Sequence, residues 1–281
     1  MSDNLIIRER CFNWGQRTYL MGVLNVTPDS FSDGGDFNNT SAALAQAWAM
    51  VAAGADIIDV GGQSTRPGAE QITLEEELER VIPVIEILRS EMTVPISVDT
   101  TRSAVAKAAI EAGADIVNDI SGGTFDPDML PTVASLDVPI VLMHIKGTPQ
   151  TMQQMTNYQD LLGEISNFLT KQITVAINAG VEHQKIILDP GIGFAKNYEQ
   201  NLEILRELRS LSALNCPILV GASRKSFIGR ILNQPEPKAR VWGTAAACCA
   251  AIANGADILR VHDVKEMREV SLVADVLFRH S

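Results

Sequence analysis

The chain lacks the long apolar runs and the leader pattern that mark membrane and secreted proteins. Its 281 residues contain no apolar stretch of eighteen residues, whereas a membrane-spanning helix needs about 20. The first fifteen residues show no basic segment followed by an apolar run and a small-residue cleavage site. We therefore expect a soluble, cytoplasmic protein with no membrane partner.

Positive charge and cysteine are also scarce. The formal net charge is −11, which argues against a broad binding surface for nucleic acid. The four cysteines (Cys11, Cys216, Cys248 and Cys249) have the spacing of neither a zinc site nor a disulfide framework. We expect reduced, mostly buried cysteines, and any anionic ligand must meet a local positive site.

What the sequence does contain is a repeated βα pattern. Segments 52–62, 111–123 and 253–263 each combine a helix end, a turn with glycine and an apolar strand. Extended along the chain, the pattern predicts strands near 18–24, 56–60, 95–98, 115–118, 139–143, 186–189, 217–221 and 257–261. It predicts helices near 41–53, 74–90, 102–112, 127–135, 160–179, 199–210, 240–254 and 264–279.

Eight strand candidates favour an α/β fold, a single (β/α)8 TIM barrel over residues 1–281 with residues 1–15 as an N-terminal extension. A doubly wound open sheet would use the same elements, and periodicity alone does not separate the two. In both folds the active site lies at the C-terminal ends of the strands.

Polar side chains follow every predicted strand. They are Asn25, the segment 61–68, Asp99, Asn118, His144, Asp189, the segment 221–229, and Arg260 with His262. Any one of these residues alone is explained as a loop former or helix cap. Together they predict one polar mouth, because caps do not require Asn or Asp inside a buried strand end.

The polar residues divide into two chemical groups. Asp99, Asn118 and Asp189 offer the acceptors and donors that suit a flat heterocycle such as a pterin. Internal salt bridges are the alternative for the two carboxylates, because a buried carboxylate needs a partner.

The second group is cationic and predicts a diphosphate site: Arg66, Lys225, Arg260 and His262. The segment Gly221–Ser223 is expected to open a helix whose N-terminus adds to this site. Arg224 is interpreted as a solvated surface residue.

The predicted loops 25–39 and 62–73 are longer than barrel connections require and are interpreted as mobile lids. Asp33 and Asn25 are candidate ligands for Mg2+, which binds through one or two protein oxygens plus phosphate oxygens. A turn-forming role is the alternative for Asp33.

From about Leu20 to Phe278 the sequence resembles the dihydropteroate synthase family. The motifs that carry the resemblance are MGVLNVTPDSFSDGG (21–35), GGQSTRPGA (61–69), SVDT (97–100), VNDISGG (117–123), LMHIKGTPQTMQ (142–153), ILDPGIGFAKN (187–197), GASRKSFIG (221–229) and RVHDV (260–264). Family members often have Glu where this chain has Gln63, and the MHIKG segment also departs from the usual pattern.

The resemblance implies condensation of 6-hydroxymethyl-7,8-dihydropterin diphosphate with p-aminobenzoate, with Mg2+ as cofactor and a homodimer formed by the late helices. By motif, the implied pterin site is Asp99, Asn118, Asp189, Lys225, Met143 and Gly221, and the implied diphosphate site is Asn25, Arg260, His262 and Thr65. The implied p-aminobenzoate site is Thr65, Arg66, Pro67, Phe194, Lys225 and Ser226. Asp99, Lys225 and Arg66 are the expected catalytic residues.

Three other functions stay open at this point. A methyltetrahydrofolate-dependent methyltransferase resembles the family but has no diphosphate to hold, so the 223–225 segment and Arg260 argue against it. A catalytically inactive pterin-binding paralogue is the second. A Schiff-base aldolase that uses Lys225 is the third, and it leaves the loop motifs without a role.

Overall fold

The protein is a nearly closed barrel of eight parallel strands, seen in a computed structural model that describes residues 4–27 and 36–279, with the backbone alone for 36–39. The strands are β1 Leu5–Ile7, β2 Arg10–Phe12, β3 Tyr19–Asn25, β4 Ile57–Gly61, β5 Ile96–Asp99, β6 Ile116–Asp119, β7 Ile140–Met143, β8 Ile186–Asp189, β9 Leu219–Val220 and β10 Ile258–Val261. The last eight form one sheet in the order β8-β7-β6-β5-β4-β3-β10-β9. A parallel bridge between Leu188 and Ile218 brings β8 beside β9. The predicted TIM barrel is confirmed.

Helices connect the strands and cover the outside of the barrel. They are α1 Asp36–Ala52, α2 Leu74–Glu91, α3 Ser103–Glu111, α4 Met129–Leu136, α5 Leu161–Asn178, α6 Tyr198–Arg206, α7 Ser226–Leu232, α8 Val241–Ala253 and α9 Val264–Phe278. Local chemistry fixes several starts: Thr73 accepts a hydrogen bond from Glu76 N at 3.1 Å, and Asn197 with Gln200 forms a capping box. Within the described residues, no helix is long and apolar enough to cross a membrane.

The N-terminal extension is a β-hairpin that closes the amino end of the barrel. Strands β1 and β2 pair antiparallel, and the rings of Phe12 and Trp14 pack against Tyr19 at the start of β3 in tilted and edge-to-face contacts. These residues form one buried cluster with inward-facing strand residues such as Met21 and Ile258. The barrel interior is therefore packed at this end, as a core of branched side chains requires, and any ligand must enter from the other.

The chain between β9 and α7 departs from the prediction. Gly221–Ser223 do not open a helix, because Arg224 takes a left-handed backbone conformation (φ 60°) that a right-handed helix does not allow. The helix begins at Ser226, with Lys225 as its N-cap residue. The backbone N–H of Arg224 donates to Thr244 Oγ1 at 3.0 Å. The helix N-terminus that was expected at Gly221–Ser223 to help bind the phosphate therefore lies later in the chain, at Ser226.

Candidate active site

Buried polar side chains from neighbouring strands meet at the carboxyl end of the barrel. The strand register places Asp99 of β5 beside Asn118 of β6, and Met143 of β7 beside Asp189 of β8. All four residues are buried. Because parallel strands end at the same rim, Asp99, Asn118 and Asp189 lie at one end of the barrel, as the sequence predicted.

Arg260 of β10 connects two carboxylates in this mouth. Its Nη2 lies 2.6 Å from Asp99 Oδ2, and its Nε lies 2.6 Å from Asp59 Oδ2. Asn118 Nδ2 donates to the same Asp59 oxygen at 3.2 Å. The salt-bridge alternative therefore holds for Asp99, whereas none of the ion pairs found among the described residues includes Asp189.

Asp59 is a site residue that the sequence analysis missed. It lies inside β4, is fully buried, and its Oδ1 has no hydrogen-bond partner. An unpaired buried oxygen is costly, so it marks a place where a ligand donor or water is needed. The available signal was a carboxylate in an otherwise apolar strand, since burial forces such a residue to have a cationic partner.

Burial shifts the protonation of the carboxylates and of the lysine in the mouth. It raises the pKa of Asp99 to about 7, although the charge of Arg260 opposes the shift. It raises the pKa of Asp189 to about 6, against a hydrogen bond from Gly191 and the charge of Lys225. Burial also lowers the pKa of Lys225 to about 8, with Arg260 adding to the effect. The mouth therefore contains groups that change charge close to neutral pH.

Lys225 lies against an aromatic wall. Its ammonium is 4.2 Å from the ring centroid of Phe194, a cation–π contact. Phe194 packs with Met143 and Ile120 in a small apolar cluster. These residues offer a flat ligand an apolar face beside the polar one, while Ser226 is exposed to solvent.

Two predictions about the cationic group are wrong. His262 is not a cation in the free protein, because burial and the charges of Arg224 and Arg260 lower its pKa to about 3. Its Nδ1 instead lies 3.0 Å from Ser223 Oγ, so a neutral imidazole takes part in a hydrogen bond. Arg224 is not a solvated surface residue: its Nε donates to Asp263 Oδ2 at 2.9 Å.

The loop 62–73 lies over one side of the mouth. Thr65 is half-buried, whereas Arg66 and Pro67 are exposed. The Gln63 side chain braces the loop, because Nε2 donates to the carbonyls of Ser64 and Glu70 (2.8 and 2.9 Å) and Oε1 accepts from Ile72 N at 2.9 Å.

A pocket of about 120 Å³ separates this loop from the loops after β5, β6 and β7. Its lining includes Thr65, Asp99, Phe125 and Thr148. Gly68 N donates to Pro149 O at 3.1 Å and ties the two sides together. The unliganded mouth thus brings Thr65 near Asp99 and leaves Arg66 outside.

Asn25 and Gly221 occupy the rim positions expected of them. Asn25 ends β3 and is half-buried, and a Cβ built on Gly221 would lie 4.0 Å from Arg260 Cβ. Asp33, with the rest of the predicted first lid up to residue 35, lies outside the described residues. The described residues contain no group of three or more His, Cys, Asp or Glu side chains arranged for a metal. Because Mg2+ takes few protein ligands and prefers oxygen, the Asn25 amide oxygen still fits it.

Comparisons with known proteins agree with this geometry. The family described as pterin binding enzyme matches residues 21–262. The dihydropteroate synthase of Synechocystis sp. is 60% identical over 275 residues, which cover 98% of this chain and 95% of the relative.

Solved structures are similar over their whole length. A dihydropteroate synthase from Clostridium difficile in the presence of pteroic acid has 47% identity and a TM-score of 0.91, covering 96% of this chain and 100% of that one. The Xanthomonas albilineans dihydropteroate synthase with 4-aminobenzoic acid has 40% identity and a TM-score of 0.92, and each chain is covered completely. The chain belongs to the pterin-binding enzymes and, among them, to the dihydropteroate synthase family.

Proposed function

We propose that the mouth of the barrel condenses 6-hydroxymethyl-7,8-dihydropterin diphosphate with p-aminobenzoate, giving 7,8-dihydropteroate and pyrophosphate. The chain is accordingly a transferase of folate synthesis. One observation carries the proposal: Arg260 lies 2.6 Å from Asp99, so anion-binding and pterin-binding groups share a single mouth. Relatives solved with pteroic acid and with 4-aminobenzoic acid support the two substrate halves.

The pterin is assigned to the buried acceptors. Asp99, Asn118 and Asp189 present oxygens to the amino and ring N–H groups of the heterocycle, and Asn118 also has an amide donor. Met143 and Phe194 offer apolar contacts to the flat ring, and Gly221 leaves room beside Arg260. Pterin N–H donors then replace part of the pairing that Arg260 gives Asp99 in the free protein.

The diphosphate is assigned to Asn25, Thr65, Arg260 and His262. Arg260 keeps Asp59 as a partner while its remaining N–H groups turn to phosphate oxygens. Neutral His262 offers an N–H donor, and an approaching phosphate raises its pKa because opposite charge favours imidazolium. Mg2+ held by Asn25, and by Asp33 from the undescribed segment, would neutralise charge on the leaving oxygens when bound.

The reaction follows a dissociative course. The C–O bond to the diphosphate breaks first, the pterin shares the resulting cation at its methylene carbon, and the arylamine nitrogen then forms the C–N bond and loses a proton. Ionised Asp99 stabilises the cation, and such preorganised charges supply a few kcal/mol each. Thr65, Arg66, Pro67, Phe194, Lys225 and Ser226 form the p-aminobenzoate pocket once the loop 62–73 closes.

Release of pyrophosphate tests this assignment. Purified protein is mixed with the pterin diphosphate and Mg2+, and pyrophosphate is measured with and without p-aminobenzoate. Because the bond to the diphosphate breaks before the amine attacks, we expect at most about one pyrophosphate per active site without the amine, and continuous release with stoichiometric dihydropteroate when the amine traps the cation. Absence of release in both mixtures, with the protein folded, would remove the synthase activity from this chain.

We also infer that the protein acts as a cytoplasmic homodimer. The last three helices carry exposed large apolar side chains: Ile231, Leu232, Trp242, Leu272, Val273, Val276, Leu277 and Phe278. Exposed apolar patches of this kind mark interaction surfaces, and a second copy of the chain is the occupant that the family resemblance implies.

A further inference from the structure

Lys196 is a buried lysine to which the reaction above gives no role. It lies between β8 and α6, with 2% of its surface exposed. Its ammonium contacts three neutral acceptors: Phe194 O at 2.8 Å, His144 Nδ1 at 3.0 Å and His144 O at 3.4 Å. None of the ion pairs found within 4–27 and 36–279 includes it. A buried cation without a bonded carboxylate is costly to keep, which calls for an explanation other than stability.

His144 is fixed as the acceptor for this lysine. Burial, Lys196 and Lys146 lower the pKa of His144 to about 2, so the ring is neutral. Because Nδ1 faces the ammonium, we assign the ring proton to Nε2. The ring packs edge-on against Phe168, with centroids 5.0 Å apart. The imidazole therefore has one tautomer and one orientation, with its acceptor nitrogen directed at Lys196.

The Lys196–His144 pair lies directly behind the loop that follows Asp189 and carries Phe194, the two residues of this region that are assigned to the substrates. This loop, residues 190–195, begins after Asp189, whose Oδ1 accepts from Gly191 N at 2.7 Å. His144 N donates to Asp189 O at 2.9 Å, and Lys196 holds the carbonyl of Phe194 at the far end of the loop. The pair therefore fixes both ends of the loop against the end of β7.

We propose that Lys196, held by His144, is a positioning residue for the condensation. It fixes Phe194 against Lys225, and its positive charge favours the ionised form of Asp189 that accepts the pterin N–H groups. The inference rests on the proposed function, and it adds a residue that contacts neither substrate.

The charges around the pair agree with this role. The pKa of Asp189 is raised by burial, and the charges of Lys225, Lys196 and Arg260 oppose the rise. Burial lowers the pKa of Lys196 to about 7; Asp189 opposes this shift, while Lys225 and Lys146 add to it. Removing the Lys196 charge must therefore raise the pKa of Asp189, and protonated Asp189 then appears at higher pH.

The test is Lys196→Met, which keeps the length and volume of the side chain without its charge. We expect kcat/KM for the pterin diphosphate to fall about twofold at pH 7 and nearly tenfold below about pH 5, because a rise of about one unit in the pKa of Asp189 from about 6 changes its ionised fraction tenfold only at a pH below both values. The acidic limb of the pH profile of kcat/KM should move to higher pH. KM for p-aminobenzoate should rise, because Phe194 loses its hydrogen bond to Lys196. Lys185→Met is the matched control, because Lys185 lies at the opposite end of β8 and pairs with Asp137.

A second pair of variants covers the case in which Lys196→Met does not fold. His144→Asn keeps an acceptor near the position of Nδ1 and should retain the wild-type pH profile, whereas His144→Phe should reproduce the shift. A folded Lys196→Met protein with an unmoved acidic limb would overturn the inference, as would equal shifts in His144→Asn and His144→Phe. Wild-type protein without activity would refute the proposed function instead, so the two failures are distinguishable.

Discussion

Arg260 is the side chain on which the chemistry of the mouth depends. It bridges Asp59 and Asp99; burial lowers its pKa, but the charges of the two carboxylates outweigh burial and raise the pKa further above the usual range. Replacing it would leave two carboxylates buried and unpaired, which costs about 3–5 kcal/mol for a broken buried pair. Because Arg260 also bonds Asp99, Arg260→Ala would weaken pterin binding together with diphosphate binding, so Asp59 is the better position to test.

Asp59→Asn should disturb the site more than the fold. The substitution removes the carboxylate that fixes Arg260 but keeps an amide oxygen near Asn118, so we expect kcat/KM to fall by about 10-fold or more. A hydrogen bond to a charged group contributes about 1.5–3 kcal/mol. Steady-state pyrophosphate release measures the loss, and thermal unfolding measures stability.

Asp115→Asn is the control for Asp59→Asn. Asp115 pairs with Arg89 at 2.7 Å just before β6, far from the mouth. The Asp115→Asn substitution should lower the unfolding temperature without changing KM. Equal effects of the two substitutions on activity would contradict a specific role for Asp59.

Protonation of Asp99 and Asp189 should give activity an acidic limb. Burial raises the two pKa values to about 7 and about 6, and both groups are needed as carboxylates. The charged forms are therefore lost as the pH falls through these values, and kcat/KM should decline below about pH 7. A profile that stays flat down to about pH 5, near the range of ordinary carboxylates, would contradict the assignment.

At the scale of elements, the loop after β8 shows how backbone geometry places the site. Gly191 has φ 72° and lies so close to β7 that an added Cβ would overlap the carbonyl oxygen of His144. Glycine is required here for both reasons. The close approach lets Lys196 reach His144 and lets Asp189 accept the Gly191 N–H group.

Gly191→Ala should therefore be far more damaging than an alanine at another left-handed glycine. Gly255 has φ 96° and nothing within 4 Å of an added Cβ, so Gly255→Ala adds backbone strain of about 1–2 kcal/mol and no overlap. Denaturant unfolding and turnover should show a loss of stability and activity at Gly191 that clearly exceeds the loss at Gly255. Similar losses at both positions would mean that the overlap is relieved without cost.

The elements were largely predictable because each βα unit repeats a local pattern. The eight barrel strands start within two residues of their predicted positions, since apolar runs bounded by glycine turns are strong signals. The start of helix α7 was predicted too early, at Gly221–Ser223, because the helix has only seven residues and follows a left-handed Arg224, which leaves no periodic pattern to mark its first residue. The hairpin β1–β2 was missed because strands of three residues are too short for alternation to appear.

The sequence predicted which residues form the site better than it predicted which of their side chains contact each other. Asp99, Asn118, Asp189 and Arg260 stand at strand ends, and topology brings strand ends together. The bridge from Arg260 to Asp59 and the pair Lys196–His144 depend on side-chain packing across the barrel, which no local pattern encodes. The neutral state of His262 follows from burial beside other cations, which is likewise absent from sequence.

At the scale of the whole molecule, the two ends of the barrel differ: one is closed by packed side chains and the other carries the polar site. The hairpin and its aromatic cluster fill the amino end, and the polar residues occupy the carboxyl end. The apolar surface of the last three helices lies on the outside, where Val276 is 83% exposed. Association through this surface would leave the mouth open to substrates.

Val276→Glu tests the proposed dimer, which it should convert to monomer in sedimentation velocity. A buried, unpaired carboxylate at a subunit interface costs several kcal/mol, which is enough to dissociate a micromolar or weaker dimer. Val175→Glu on α5 is the control, because Val175 is also exposed, at 40%, but lies on another helix. An unchanged sedimentation coefficient for Val276→Glu, or equal changes in both variants, would contradict a dimer through α9.

The most direct test of the account is a crystal structure of the protein with the pterin diphosphate and Mg2+ in the absence of p-aminobenzoate. The account predicts the pterin ring within hydrogen-bond distance of Asp99, Asn118 and Asp189, with the diphosphate beside His262 and Arg260. Arg260 should still contact Asp59. Ligand density at the amino end of the barrel, or a pterin ring without contact to these three residues, would contradict it.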